Sequence, residues 1–194
     1  MKILAFVDTH GSLAALKRIE KMAKDANILI CAGDLSVFEQ DLDLLIERLN
    51  KIGKPVLIIH GNHETEEEMK KSCSLFKNVT YFHKKVHVID NYAFVGYGGG
   101  GFSVTDKKFE TWTKKIKPKL KNKKVVLVTH APPYNTKVDN IMGDSCGNKS
   151  IRKFIENVKP VLSISGHLHE CVGTDKINKS RLINPGPAGK ILII

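Results

Sequence analysis

No apolar run in this sequence is long enough to cross a bilayer. The longest, such as Pro55–Ile59 and Val125–Val128, are strand-sized, against the ~20 residues that a spanning helix needs. The run Ile3–Val7 is broken at once by Asp8, too early for a secretory signal peptide, so the expected location is the cytoplasm. Cysteine is sparse as well. Cys31, Cys73, Cys146 and Cys171 lie far apart with no CxxC pair, which argues against a secreted disulfide framework. Cys31, inside an apolar run, is expected to be a buried small hydrophobe. Neither an internal repeat nor a low-complexity linker divides the chain, and its length suits one domain over residues 1–194.

Acidic residues are the other shortage: 20 Asp and Glu stand against 31 Lys and Arg, a formal charge of +11. Such an excess fits attraction to polyanions, but it also fits a solvated lysine-rich surface. Lys114, Lys115, Lys117, Lys119, Lys121, Lys123 and Lys124 flank or lie on one amphipathic segment. They lack the interleaved aromatics of a single-strand binding platform. The solvated surface is favoured over dedicated nucleic-acid binding.

What is present is a strand–turn–helix pattern of the α/β kind. Ile3–Val7, Ile28–Ala32, Val56–His60, Val125–Thr129 and Val161–Ser165 read as buried strands. Ser12 is placed to cap a helix bearing Leu13, Leu16, Ile19 and Ala23. Asp41 is expected to open a second helix, which Gly53 and Pro55 stop. Thr65 with Glu66–Glu68 reads as a capping box. Val79–Phe82, Val86–Ile89 and Tyr92–Val95 are expected to form an antiparallel meander, with a flexible loop at Gly98–Gly101 after it. A helix carrying Phe109, Trp112 and Ile116 is limited by Pro118, and another carries Ile151, Phe154, Ile155 and Val158. Short strands return around Val172–Ile177, Arg181–Ile183 and Lys190–Ile194.

The five buried strands share one property: each runs into a metal-ligand type of residue. The endings are Asp8-Thr9-His10, Gly33-Asp34, Gly61-Asn62-His63-Glu64, His130 and Gly166-His167-Leu168-His169. Ligands of open α/β sheets bind beyond the carboxyl ends of strands, so parallel neighbours would bring these groups together. In extended backbone, residues i and i+2 point the same way, which would pair Asp8 with His10 and His167 with His169. Each motif alone has a plain structural explanation as a turn, a cap or a satisfied strand-end histidine. As an ordered set they point to a metal site. Seven ligands (Asp8, His10, Asp34, Asn62, His130, His167 and His169) exceed the needs of one ion and suit two ions with a shared carboxylate. The mix of imidazole and oxygen donors leaves Mn, Fe, Zn and Ni open.

These residues resemble the signature of the calcineurin-like metallophosphoesterase superfamily: D-x-H, GD, GNH[D/E], an isolated His, and GHxH. All five are present, spanning residues 8 to 169. The resemblance implies a four-layer α/β/β/α sandwich of two mixed sheets flanked by helices. It implies that Asp8, His10 and His169 hold one divalent metal, that Asn62, His130 and His167 hold the other, and that Asp34 bridges them. His63 matches a substrate-side histidine that assists the transition state or the leaving group; a role in orienting Asp34 or Asn62 is the alternative. The implied reaction is hydrolysis of a small phosphate ester, mono- or diester, by metal-activated hydroxide attacking phosphorus. More loosely, His130-Ala131-Pro132-Pro133 with Lys137-Val138-Asp139 resembles a small single-domain branch of the superfamily found in archaea and bacteria.

The chain also departs from relatives. Leu35-Ser36-Val37-Phe38 follows Gly33-Asp34 where protein Ser/Thr phosphatases show GDxVDRG, which argues against that class. A capping domain like that of the DNA-repair nucleases is absent too. Two other functions remain: a nuclease, motivated by the charge, and a partner-binding scaffold on the same fold, which a missing ligand would favour and the full ligand set does not.

Overall fold

Alternate side chains of the first strand enter different cores. In the computed structural model, which describes all 194 residues, Leu4 and Phe6 face one buried cluster, and Ile3, Ala5 and Val7 face another. A strand buried on both faces needs apolar residues at every position rather than at alternate ones, which is why Ile3–Val7 is a continuous run.

The chain order begins β1 (Lys2–Phe6), α1 (Leu13–Ala23), β2 (Ile28–Cys31), α2 (Leu42–Lys51), β3 (Val56–Ile58), α3 (Glu66–Ser74) and β4 (Val79–Tyr81). It continues with β5 (Lys85–Ile89), β6 (Tyr92–Tyr97), α4 (Lys107–Ile116), β7 (Lys124–Thr129) and the small hairpin β8 (Asn140–Ile141) and β9 (Asp144–Ser145). Last come α5 (Lys149–Val158), β10 (Leu162–Ile164), β11 (Gly173–Ile177), β12 (Ser180–Asn184) and β13 (Lys190–Ile193).

Two mixed sheets result, ordered β13-β1-β2-β3-β4 and β11-β12-β10-β7-β6-β5. The strands β1 to β4 run parallel, and so do β6, β7, β10 and β12. Antiparallel strands β13, β11 and β5 form edges. Helices α1, α2 and α3 cover the first sheet through Leu16, Ile19, Leu45, Ile46 and Met69. Helices α4 and α5 cover the second through Phe109, Ile116, Ile151, Phe154 and Ile155. Between the sheets lie Ile30, Leu57, Phe94, Val126 and Ile164. This is the expected four-layer sandwich.

Two local expectations are corrected. The meander over residues 79–97 does not form: β4 joins the first sheet parallel to β3, and only β5 and β6 make a hairpin, in the second. Local pattern fixes strands but not partners, and Val79 and Tyr81 belong to the core beneath the helices. Asp41 opens α2 as expected, with a left-handed φ of 54° and no hydrogen bond from its side chain to the first turn. The capping box at α3 is half formed. Thr65 Oγ1 accepts the Glu68 N–H at 3.2 Å, while the Thr65 N–H goes to Glu39 Oε1 at 2.7 Å. Ser12 caps α1 as expected, through the Ala15 N–H. No helix is long and apolar enough to cross a membrane.

Candidate metal centre

The five polar strand ends do meet, but from two sheets rather than one. β1, β2 and β3 deliver theirs from the first sheet, and β7 and β10 from the second. Asp8, His10 and His169 offer donor atoms within 4.8 Å of one another, as do Asp34, His130 and His167, and also His10, Asp34 and His63. Asn62 joins them: its Oδ1 lies 3.0 Å from His130 Nε2 and 2.8 Å from His167 Nδ1.

Extended backbone does not produce this convergence. Asp8, His10, Asp34 and His167 have φ of 55°, 45°, 50° and 70°, a left-handed region costly for residues with a Cβ. The chain turns sharply after β1, β2 and β10, and His167 and His169 fall into different donor groups. Strain of this kind persists where surrounding structure over-determines it. Here the Asp8 N–H donates to Gly33 O at 3.1 Å and the His10 N–H to Asp34 O at 3.0 Å. The Asp8 carboxylate accepts the His167 N–H at 3.0 Å. Gly61 is required for another reason: a Cβ there would stand 1.9 Å from Asp34 Oδ1.

Asp34 is the hub. Its Oδ1 accepts the N–H groups of Asn62 and His63 at 2.8 and 3.0 Å, and its Oδ2 lies 3.4 Å from His130 Nε2 and 3.8 Å from His10 Nε2. Burial opposes ionisation, yet His130 and the His63 N–H together hold this carboxyl well below the usual range. Burial pushes the Asp8 carboxyl up to about 6 and the His167 imidazole down to about 4. For His130, burial works against charge, but the adjacent Asp34 outweighs it and the pKa is raised.

The donor chemistry fits cations. His130 Nδ1 faces the carbonyl of Ala32 at 3.0 Å and must carry its proton there. A proton or a cation at Nε2 is then what reconciles His130 with Asn62 Oδ1 and Asp34 Oδ2, and its raised pKa has that same cause. His10 Nε2 and His169 Nε2 approach to 3.0 Å, and His63 Nδ1 and His167 Nε2 are buried without a hydrogen-bond partner. Lone pairs so close repel unless a proton or metal ion lies among them.

Several supporting residues escaped the sequence. Glu64 accepts from the Asp34, Ser36 and Gly61 N–H groups and the Ser36 hydroxyl, at 2.8 to 3.2 Å, tying the β2 and β3 loops together. Its position in the motif was visible, its partners were not. Asn184, in what reads as an ordinary turn, donates from Nδ2 to Leu168 O at 3.0 Å between the two C-terminal histidines. The start of the Gly98–Gly101 loop is anchored: the Gly98 N–H donates to His83 Nδ1 at 2.8 Å and the Gly99 N–H to His60 O at 3.0 Å.

The fold and this ordered set of residues define a metallo-dependent phosphatase architecture. A model of the calcineurin-like phosphoesterase family matches residues 1–171, and the chain belongs to that family, whose members hydrolyse phosphoric esters with divalent metals. The chain is 34% identical over 199 residues to the uncharacterized protein MJ1162 of Methanocaldococcus jannaschii, covering 96% of this chain and 88% of that protein. It is 23% identical over 188 residues to a probable glycerophosphodiester phosphodiesterase of Arcobacter nitrofigilis, covering 89% and 67%. Among solved structures, TT1561 of Thermus thermophilus superposes with a TM-score of 0.78 at 18% identity, covering 96% of this chain and 90% of that one.

Proposed function

We propose that this protein is a dinuclear metal-dependent phosphoesterase acting on a small or nucleotide-like phosphate ester. The observation that carries this is the crowding of ligand-type atoms around Asp34: His10 and His130 both face its Oδ2, His130 also faces Asn62 Oδ1, and His10 faces His169. In this reading Asp8, His10 and His169 hold one divalent cation and Asn62, His130 and His167 the other, with Asp34 between them. Bound there, two cations supply the positive charge that activates water and neutralises phosphate oxygens.

The chain's own residues supply position and protons. Asp34 commits Oδ1 to two backbone N–H groups, which leaves Oδ2 aimed inward. Glu64 holds the Asp34 N–H and so fixes where that carboxylate begins. His63 contacts His10 edge-on at 4.7 Å between ring centroids, beside the ligands, where it can donate a hydrogen bond or a proton to the departing ester oxygen.

Turnover of paired chromogenic mono- and diesters, after reconstitution with Mn, Fe, Zn or Ni, tests the proposal. Hydrolysis dependent on metal supports it. Silence with every metal and every ester would replace it with a non-catalytic scaffold, and a steep fall of substrate affinity with salt would favour a nuclease.

A further inference from the structure

Two phenylalanines stand at the candidate metal centre, one from each sheet, and neither is buried. Phe38, on the loop after β2, is 76% exposed, with its ring 4.5 Å from that of His63. Phe102, on the loop after β6, is 67% exposed, with its ring 4.5 Å from that of His167. His63 and His167 belong to different donor groups that share Asp34, so both rings stand beside the same centre.

Neither loop leaves its ring to chance. Phe38 has a φ of 47°, a conformation that a bulky residue rarely adopts. The segment is tied on both sides, by Ser36 to Glu64 and by Glu39 to the Thr65 N–H. Phe102 follows the anchored Gly98 and Gly99. Behind it the Ser103 carbonyl accepts Asn148 Nδ2 at 2.6 Å, and the Val104 carbonyl accepts the Lys149 N–H at 2.8 Å. Strained backbone that places a large apolar side chain in water yields no burial in return. Next to Phe38, a cleft of about 410 Å³ runs from His10 between Leu13, Val37 and Leu44.

We propose that Phe38 and Phe102 form an aromatic clamp that selects phosphate esters carrying a flat ring, a nucleobase or a simple aryl group, over alkyl esters. The proposal rests on the phosphoesterase reading for where the phosphate sits. Ring faces and edges stack favourably on such a substituent, while an alkyl group of a few atoms gains little from them.

Non-hydrolysable phosphonates test the clamp apart from catalysis. Binding of phenylphosphonate and methylphosphonate to the full chain with Mn²⁺ is measured by isothermal titration calorimetry. Phenylphosphonate is expected to bind about tenfold tighter. In Phe38→Ala and Phe102→Ala the ratio of the two affinities falls toward one, and Phe38→Tyr restores it. A phosphonate analogue of adenosine monophosphate distinguishes the two kinds of ring: tighter binding than phenylphosphonate assigns a nucleobase, weaker binding a simple aryl group. Equal binding of the phenyl and methyl ligands by the wild-type protein, or a ratio unchanged in both alanine variants, overturns the clamp. If esters are still turned over in that case, the phosphoesterase reading survives it. If no ester is turned over with any metal but the phenyl preference persists, the clamp stands and the enzymatic reading fails.

Discussion

Asp34 Oδ1 accepts the Asn62 N–H at 2.8 Å, and the other carboxylate oxygen, Oδ2, lies 3.4 Å from His130 Nε2. One side chain thus joins the β2 loop to the β3 loop within the first sheet and faces a ligand-type histidine of the second. Anything that alters its charge disturbs both the protein contacts and the proposed bridge.

Asp34→Asn keeps nearly the same shape but loses the negative charge. Turnover is expected to be abolished, and metal content, measured by elemental analysis, to fall. Full activity with two metals per chain in this variant would remove Asp34 from the proposed bridging position.

His63→Ala separates catalysis from ligation. His63 lies within reach of the same donors as the ligand set, yet its proposed task is proton or hydrogen-bond donation. Metal content is expected to stay constant while kcat drops on the order of a hundredfold. Metals lost together with activity would instead make His63 a ligand.

Glu64→Ala strips four donors of their acceptor in a site only 5% exposed. The expected cost is roughly 3 kcal/mol, which for a chain of this size lowers Tm by about 6–12 °C. Calorimetry with and without metal checks it. A shift within about a degree would mean that the Asp34 loop is held by something other than Glu64.

His83 sets an expectation for pH. Burial, then the neighbouring His60 and Lys84, push its pKa down to about 3, and Nδ1 is already occupied in accepting the Gly98 N–H. The unfolded chain, with an ordinary histidine value of ~6.5, binds the proton more readily than the folded one. Between those two values stability therefore rises with pH, and acidification through the window destabilises the fold. In His83→Gln the dependence of Tm on pH is expected to flatten over that interval. An unchanged slope would assign the acid sensitivity to other groups.

Much of the fold is local in origin, and that part was legible. Five apolar runs bounded by Gly, Asp, Asn or His specify strands buried on both faces, and Ser12 and Thr65 mark helix starts by chemistry that acts over three residues. The ligand types and their order along the chain were equally visible. What lay hidden involves partners distant in sequence. Whether β4 pairs with β3 or with β5 depends on which faces find a core, and that is settled only when Val79 and Tyr81 pack beneath α2 and α3. Glu64 stands in a visible motif, but its bonds to Asp34 and Ser36 reach 30 and 28 positions away, and nothing local distinguishes Asn184 or His83, whose hydrogen bonds reach 16 and 15. Order and spacing along the chain settle which side chains are available for metal chemistry, since a motif consists of nothing else. How they meet is a property of the packed fold: two sheets face each other, and left-handed turns at Asp8, His10, Asp34 and His167, held by contacts across the fold, rotate donors that an extended chain would have pointed elsewhere.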